Sequence, residues 1–288
     1  MQPIASAPMV RRLLQELKFS PNKLLGQNFL ICEGVAERIV RSVGAIKGDK
    51  VLEIGPGLGA LSEPLAADID FLTLVELDGL LCAHLRRLFA ANERVEVILA
   101  DGLSFDYASY ATDKRWGDYL IVANLPYGIT SPLIQYLLLN GGSWRSLTLM
   151  MQLEVAHKLL PASEGQASGP LNLLAQYFGN ISLLFTVEKE CFFPVPQVES
   201  AVVQIVRHIR PPFAINDQER FARFLNAAFS HRRKTLVNSL NNSLAGGADF
   251  WRQALSLCGV EQNKRAEQLA LADYVALFAL PQVRKYLP

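Results

Sequence analysis

Short apolar runs alternate with helix-compatible segments through the first two hundred residues, and that alternation leaves this chain little choice of architecture. Strand-like runs fall at residues 51–54, 71–76, 95–100, 119–123, 147–152, 181–187 and 201–206. Between most of the early ones lie helix-compatible segments at 33–43, 61–67, 78–91 and 130–139. A strand joined to the next by a helix re-enters the sheet in the same direction, so the pattern predicts an α/β fold with a parallel, doubly wound sheet of about seven strands. The last two runs are joined by a shorter segment interrupted by Phe193-Pro194-Val195-Pro196, which predicts an antiparallel edge strand at the end.

Beyond Arg210-Pro211-Pro212 the strand signal stops, and apolar residues recur at helical spacing over 218–229, 236–244, 250–258 and 272–278. Charge changes at the same place. Residues 1–208 carry 17 Lys and Arg against 21 Asp and Glu, whereas residues 209–288 carry 11 against 6. The expectation is a sheet domain over 1–208 and a small, basic, all-helical domain over 209–288 that faces a polyanion. Residues 163–170 read as a surface loop. The first twenty residues contain Arg11, Arg12 and Lys18 without an uninterrupted apolar run, and no stretch reaches membrane-spanning length, so a cytoplasmic protein with no membrane partner is expected. Cys32, Cys82, Cys191 and Cys258 are too widely spaced for a disulfide framework or a zinc site, which predicts four ordinary reduced thiols and no metal.

The run from Val51 to Gly59 passes from a strand through Gly55-Pro56-Gly57-Leu58-Gly59 into a helix, where glycines let backbone approach a ligand closely. Read as G-x-G-x-x-A through Ala60, the turn could hold a dinucleotide pyrophosphate. Read as E-x-G-x-G-x-G, it resembles the first motif of S-adenosylmethionine-dependent methyltransferases. Glu53 favours the second reading, because a carboxylate beside the turn attracts an ammonium and a sulfonium but repels a pyrophosphate. Glu76 ends the second run where a carboxylate can accept both ribose hydroxyls, and suits either cofactor. Asp101, after the third, can take an adenine amino group.

After the fourth run comes Asn124-Leu125-Pro126-Tyr127. An Asn side-chain carbonyl and a neighbouring backbone carbonyl can accept both hydrogens of an exocyclic amine, and Tyr offers a face on which a base stacks. A strand-to-turn junction would use the same residue types.

This ordered set resembles the ribosomal RNA adenine N6-dimethyltransferases. The resemblance extends to Leu25-Gly26-Gln27-Asn28-Phe29-Leu30, to Phe192-Phe193-Pro194-Val195-Pro196-Gln197-Val198-Glu199-Ser200, to the basic helix Ala228 through Leu236, and to Arg265-Ala266-Glu267-Gln268-Leu269. It implies a Rossmann-like methyltransferase sheet with an N-terminal arm contacting cofactor and RNA, and S-adenosyl-L-methionine as cofactor. By position, it assigns cofactor binding to Asn28, Leu30, Gly55, Glu76, Asp101 and Asn124. It assigns catalysis to Asn124, Leu125, Pro126 and Tyr127, and RNA binding to Phe192, Arg232, Arg233 and Lys234. The implied substrate is two adjacent adenosines in a hairpin loop near the 3′ end of small-subunit ribosomal RNA, met in an assembling ribosomal particle by a monomeric enzyme. Three rivals remain: a large-subunit adenine N6-methyltransferase of the antibiotic-resistance type, an inactive RNA-binding assembly factor, and, on the glycine turn alone, an NAD-dependent oxidoreductase. The chain departs from the family's pattern at Leu24-Leu25, where basic and aromatic residues are common, and at Ser168-Gly169-Pro170, where a Tyr-Gly pair is usual.

Overall fold

A computed structural model describes residues 2–21, 26–161, 168–231 and 233–287. The strands are β1 (Phe29–Leu30), β2 (Lys50–Ile54), β3 (Phe71–Glu76), β4 (Val95–Leu99), β5 (Tyr119–Asn124), β6 (Trp144–Gln152), β7 (Gly179–Val187), β8 (Phe192–Phe193) and β9 (Ser200–Arg207). The helices are α1 (Ala7–Glu16), α2 (Glu33–Val43), α3 (Ser62–Asp68), α4 (Gly79–Leu88), α5 (Tyr107–Asp113), α6 (Thr130–Asn140), α7 (Leu153–Leu159), α8 (Pro170–Phe178), α9 (Gln218–Phe229), α10 (Leu236–Ser243), α11 (Gly247–Leu257) and α12 (Leu271–Ala279). Among the described residues no helix is long and apolar enough to cross a membrane.

Seven strands form one sheet in the order β4-β3-β2-β5-β6-β9-β7. The pairs β2–β3, β2–β5, β3–β4 and β5–β6 are parallel, as the alternation predicts. The antiparallel strand is β9, but it lies inside the sheet between β6 and β7 instead of at its edge. Its burial explains the position: Ala201, Val202, Val203 and Ile205 are fully buried, a run apolar on both faces that an edge would leave half wet. The order reverses beside β2, so the carboxyl ends of β2 and β5 flank the crevice where open α/β sheets bind ligands.

Contacts divide the chain into two compact units, Met1–His157 with Ser182–Arg207, and Lys158–Ile181 with His208–Pro288. In the first, helices pack Ala36, Ile39, Val43, Leu65 and Leu85 against Val51, Leu72, Leu74 and Val122 of the sheet. Each fully buried Leu or Ile contributes about 1.5–3 kcal/mol. The second unit takes α8 along with α9 to α12. Tyr177 meets Phe221, and Phe278 meets Phe221 and Phe224, forming an aromatic core.

Several elements lie outside the predicted set. Helix α1 presents only Val10 and Leu14 as buried residues, so its amphipathic signal is a narrow stripe. Helix α8 begins at Pro170, the last residue of the expected loop; Pro suits a first helical turn, where its missing N–H costs no bond. Strands β1 and β8 are two residues each and exist through pairing with each other, Phe29 with Phe193 and Leu30 with Phe192. No local pattern announces a contact between segments so far apart in the chain.

Candidate active site

At the carboxyl ends of β2, β3 and β5 a cavity is lined by Asn28, Leu30, Gly55, Glu76 and the four residues Asn124 to Tyr127, together with Val10, Phe29 and Glu53. Backbone conformation builds its floor. Gly55 and Gly57 have φ of 65° and 60°, the left-handed region that side chains disfavour. The Gly55 N–H donates to the Val75 carbonyl at 2.9 Å, so the turn is tied to β3 as it leaves β2. A Cβ on Gly55 would meet nothing within 4 Å, which leaves that backbone open to a ligand, whereas one on Gly57 would lie 3.2 Å from the Phe29 ring.

Glu76 is the pin of the turn. Its Oε2 accepts from the Gly57 N–H at 3.0 Å and its Oε1 from the Asp78 N–H at 2.9 Å. Each carboxylate oxygen retains capacity for a further donor, as a pair of vicinal hydroxyls requires. Burial pushes the Glu76 carboxyl above its ordinary range, against the pull of these backbone donors. Glu53 is 2% exposed. Burial raises its pKa to about 8, the nearby Glu76 adds to the rise, and a 2.6 Å bond from Ser62 Oγ opposes it. At neutral pH the raised Glu53 carboxyl keeps its proton and offers no full charge to a cation, which corrects its expected role; Glu76 offers acceptors to ribose hydroxyls, and neither carboxyl offers a positive partner to a pyrophosphate. The residues present therefore fit S-adenosylmethionine.

Asn124 closes β5. Its Nδ2 donates to the Asn28 carbonyl at 3.3 Å, and since that carbonyl can only accept, the amide orientation is set and Oδ1 is turned elsewhere. The Pro126 carbonyl already accepts from the Ile129 N–H at 3.2 Å and from Thr130 Oγ1 at 3.0 Å. Both of its lone pairs are engaged. The Leu125 N–H donates to Met150 at 2.9 Å, and no donor to its carbonyl is recorded among the described residues. Of the Leu125 and Pro126 carbonyls, only that of Leu125 has no donor among the described residues. Tyr127 is half-buried, and its hydroxyl lies 3.0 Å from Ser200 Oγ, which fixes the ring. Gly26, at φ 65°, lies against this turn: a Cβ there would come within 3.0 Å of the Tyr127 nitrogen.

Asp101 is not among the cavity's lining residues. It is exposed, and its Oδ1 caps the following turn by accepting from the Leu103 N–H at 2.9 Å. Gly102 holds this loop beside β2, since a Cβ there would lie 2.9 Å from Ile54. Phe192 requires correction as a base-stacking residue: it is 1% exposed and sits in the hydrophobic core with Leu30 and Val202, so no ring face is open. Its neighbour Phe193 is less buried and has the Arg11 guanidinium 5.4 Å from its ring centre. Arg232 lies outside the described residues. Arg233 and Lys234 are exposed, but on the turn between α9 and α10 and not on a helix: the Lys234 N–H closes that turn on the His231 carbonyl at 2.9 Å. Thr235 then caps α10. The segment at Leu24-Leu25 also falls outside the described residues.

Three supporting residues escaped sequence reasoning. Ser62 and Ser200 are fully buried hydroxyls, indistinguishable in sequence from surface serines. His84 lies on α4 with Nε2 3.2 Å from the Leu58 carbonyl; burial lowers its pKa, so a neutral ring with Nε2–H donates to the glycine turn. A histidine at helical spacing carries no local signal of that job.

The family described as "Ribosomal RNA adenine dimethylase" matches residues 18–282. The "Ribosomal RNA small subunit methyltransferase A" of Pelotomaculum thermopropionicum is 37% identical over 283 residues, covering 95% of this chain and 96% of that one. The fold is similar to a dimethyladenosine transferase from Plasmodium falciparum, with TM-score 0.72 and 21% identity over 90% of this chain and 99% of that one. It is also similar to the 23S rRNA methyltransferase ErmE, with TM-score 0.64 and 25% identity over 87% and 98%.

Proposed function

This chain belongs to the ribosomal RNA adenine dimethylase family, and we propose that it methylates N6 of two adjacent adenosines in a hairpin loop near the 3′ end of small-subunit ribosomal RNA, giving N6,N6-dimethyladenosines. S-adenosyl-L-methionine is the proposed cofactor and supplies an electrophilic methyl group on a sulfonium. Glu76 would hold its ribose and the Gly55 backbone would approach it from the turn, with Asn28 and Leu30 contributing the wall. Asp101 would reach the adenine end from the exposed loop after β4.

The observation that carries the reading is the state of the acceptors at the end of β5. Asn124 Oδ1 and the Leu125 carbonyl have no donor among the described residues, and both residues line the cavity that holds the pinned glycine turn. An adenine amine is a poor nucleophile because its lone pair is delocalised into the ring. Two acceptors that take its N–H bonds draw the nitrogen towards pyramidal geometry and aim the lone pair at the methyl. Catalysis then rests on orientation and preorganised dipoles, and the amine sheds its proton to solvent after transfer. For the second methylation one N–H remains for one of the two acceptors. Tyr127, held by Ser200, stacks the extruded base, and an unpaired loop base costs little to extrude. Arg232, Arg233 and Lys234 of the 209–288 domain would hold phosphates. We place the enzyme in the cytoplasm, acting as a monomer on an assembling particle.

Incubating undermethylated small subunits and, separately, large subunits with radiolabelled S-adenosylmethionine tests the proposal. Label is expected only in small subunits, in dimethyladenosine recovered by nuclease digestion and mass analysis. Label confined to large subunits would overturn it in favour of the activity named for the structural neighbour, and no label in either would leave an RNA-binding assembly factor.

A further inference from the structure

Cys32 and Cys191 are separated by most of the sheet in sequence, yet the fold brings them to adjacent backbones. Pairing of β1 with β8 sets Leu30 opposite Phe192, and one step further the Ile31 N–H donates to the Cys191 carbonyl at 2.8 Å. Both chains are fixed at this point. The Cys32 carbonyl accepts from Val35 and Ala36 at the start of α2, and Cys32 bridges to Ser6 on its other side. Cys191 ends a short 3-10 turn, with its N–H on the Glu188 carbonyl at 3.0 Å. Cys32 therefore follows directly on the residue bonded to the Cys191 backbone, and both cysteines are partly exposed. Cys82 is buried on α4 and Cys258 lies in the other unit.

We propose that Cys32 and Cys191 are a modification site: a dithiol that a peroxide converts to an intramolecular disulfide joining β1 to β8. Cys32 is the attacking sulfur. Burial raises the Cys191 thiol above its ordinary range, with the neighbouring Cys32 adding to the rise, so Cys191 is the thiol that keeps its proton, the arrangement in which one thiol of a pair is the nucleophile and the other resolves. In the first step the Cys32 sulfur attacks a peroxide oxygen, the O–O bond breaks, and the products are a Cys32 sulfenic acid and water. In the second the Cys191 sulfur attacks the sulfenic sulfur, its proton leaves with the hydroxyl as a second water, and the S–S bond forms. Two thiols lose two electrons and one hydrogen peroxide gains them. The cross-link fastens Phe29 and Leu30, which line the cofactor cavity, to the segment carrying Phe192 and Phe193.

The test uses the full-length protein, reduced, freed of reductant and treated with hydrogen peroxide. Intact mass should fall by about 2 Da, the loss of two hydrogens, and return with dithiothreitol. A non-reducing peptide map should join the Cys32 peptide to the Cys191 peptide. Oxygen addition without a cross-link, or a cross-link through Cys82 or Cys258, would overturn the proposal. In a Cys191→Ser variant, dimedone should label Cys32; in Cys32→Ser it should not label Cys191, and labelling of Cys191 there would overturn the assignment of the attacking sulfur. Oxidised wild-type protein should melt no lower than reduced protein. A lower melting temperature would mean that the bridge pulls β1 off β8 and that the native geometry does not accommodate it.

Discussion

The cavity at the end of β5 and the basic turn between α9 and α10 handle charge in opposite ways. In the cavity four side chains are held: Glu76 by two backbone N–H groups, Glu53 by Ser62, the Asn124 amide nitrogen by Asn28, and the Tyr127 hydroxyl by Ser200. On the turn, Arg233 and Lys234 extend into solvent. The difference follows from what each region is proposed to do. Presenting one nitrogen lone pair to one methyl tolerates little positional error, so orientation must be set before the ligand arrives. Holding a polyanion needs only positive potential, and solvated side chains on a firm scaffold supply it.

The sharpest way to break this contrast is Asn124→Ala. Loss of one oriented acceptor is expected to slow methyl transfer by roughly 10²–10³-fold while cofactor affinity, measured by calorimetry, changes little. Near-normal transfer would remove the acceptor argument. Next in size is Tyr127→Ala, expected to lower kcat/KM for RNA by about 10- to 100-fold through lost stacking, with Tyr127→Phe much closer to wild type because the ring face remains. If Phe proves as poor as Ala, the Ser200 bond matters more than the face.

Glu53 tests the held side of the comparison through pH. Its folded-state pKa of about 8 lies above the ordinary 4.5. From pH 4.5 upward the unfolded chain releases this proton while the folded chain keeps it, so the group progressively destabilises the fold until both states are ionised above about pH 8. Glu53→Gln removes that penalty. Its stability relative to wild type, from urea midpoints, should therefore rise between pH 5 and pH 8 by a few kcal/mol at most. A difference independent of pH would contradict the buried, protonated carboxyl. The smallest effect is expected from Arg233→Ala and Lys234→Ala. Each should weaken RNA binding modestly and lower the slope of log affinity against log salt by about one, without altering kcat. A change in kcat from either would erase the division of labour.

Much of the site was legible because its chemistry depends on backbone form. A strand that ends in Gly55-Pro56-Gly57 announces a left-handed turn, and Glu76 and Asn124 stand at strand ends that hydrophobic runs locate within a residue or two. Phe192 was not legible: aromatic residues stack on bases and fill cores equally well, and only burial against Leu30 and Val202 separates the two. The basic triplet was expected on a helix through the family resemblance alone; the apolar spacing itself stops at 229 and resumes at 236, and Thr235 starts a new helix there.

By itself the sequence determined the parallel sheet, the glycine turn, the acidic and amide residues at the strand ends, and the change to helices after His208, because each follows from local periodicity or from a residue's own conformational range. The tertiary structure decided the rest. It put β9 inside the sheet, paired β1 with β8, buried Phe192, and brought Cys32 to Cys191. All of these rest on contacts between segments distant in the chain, which no local pattern encodes.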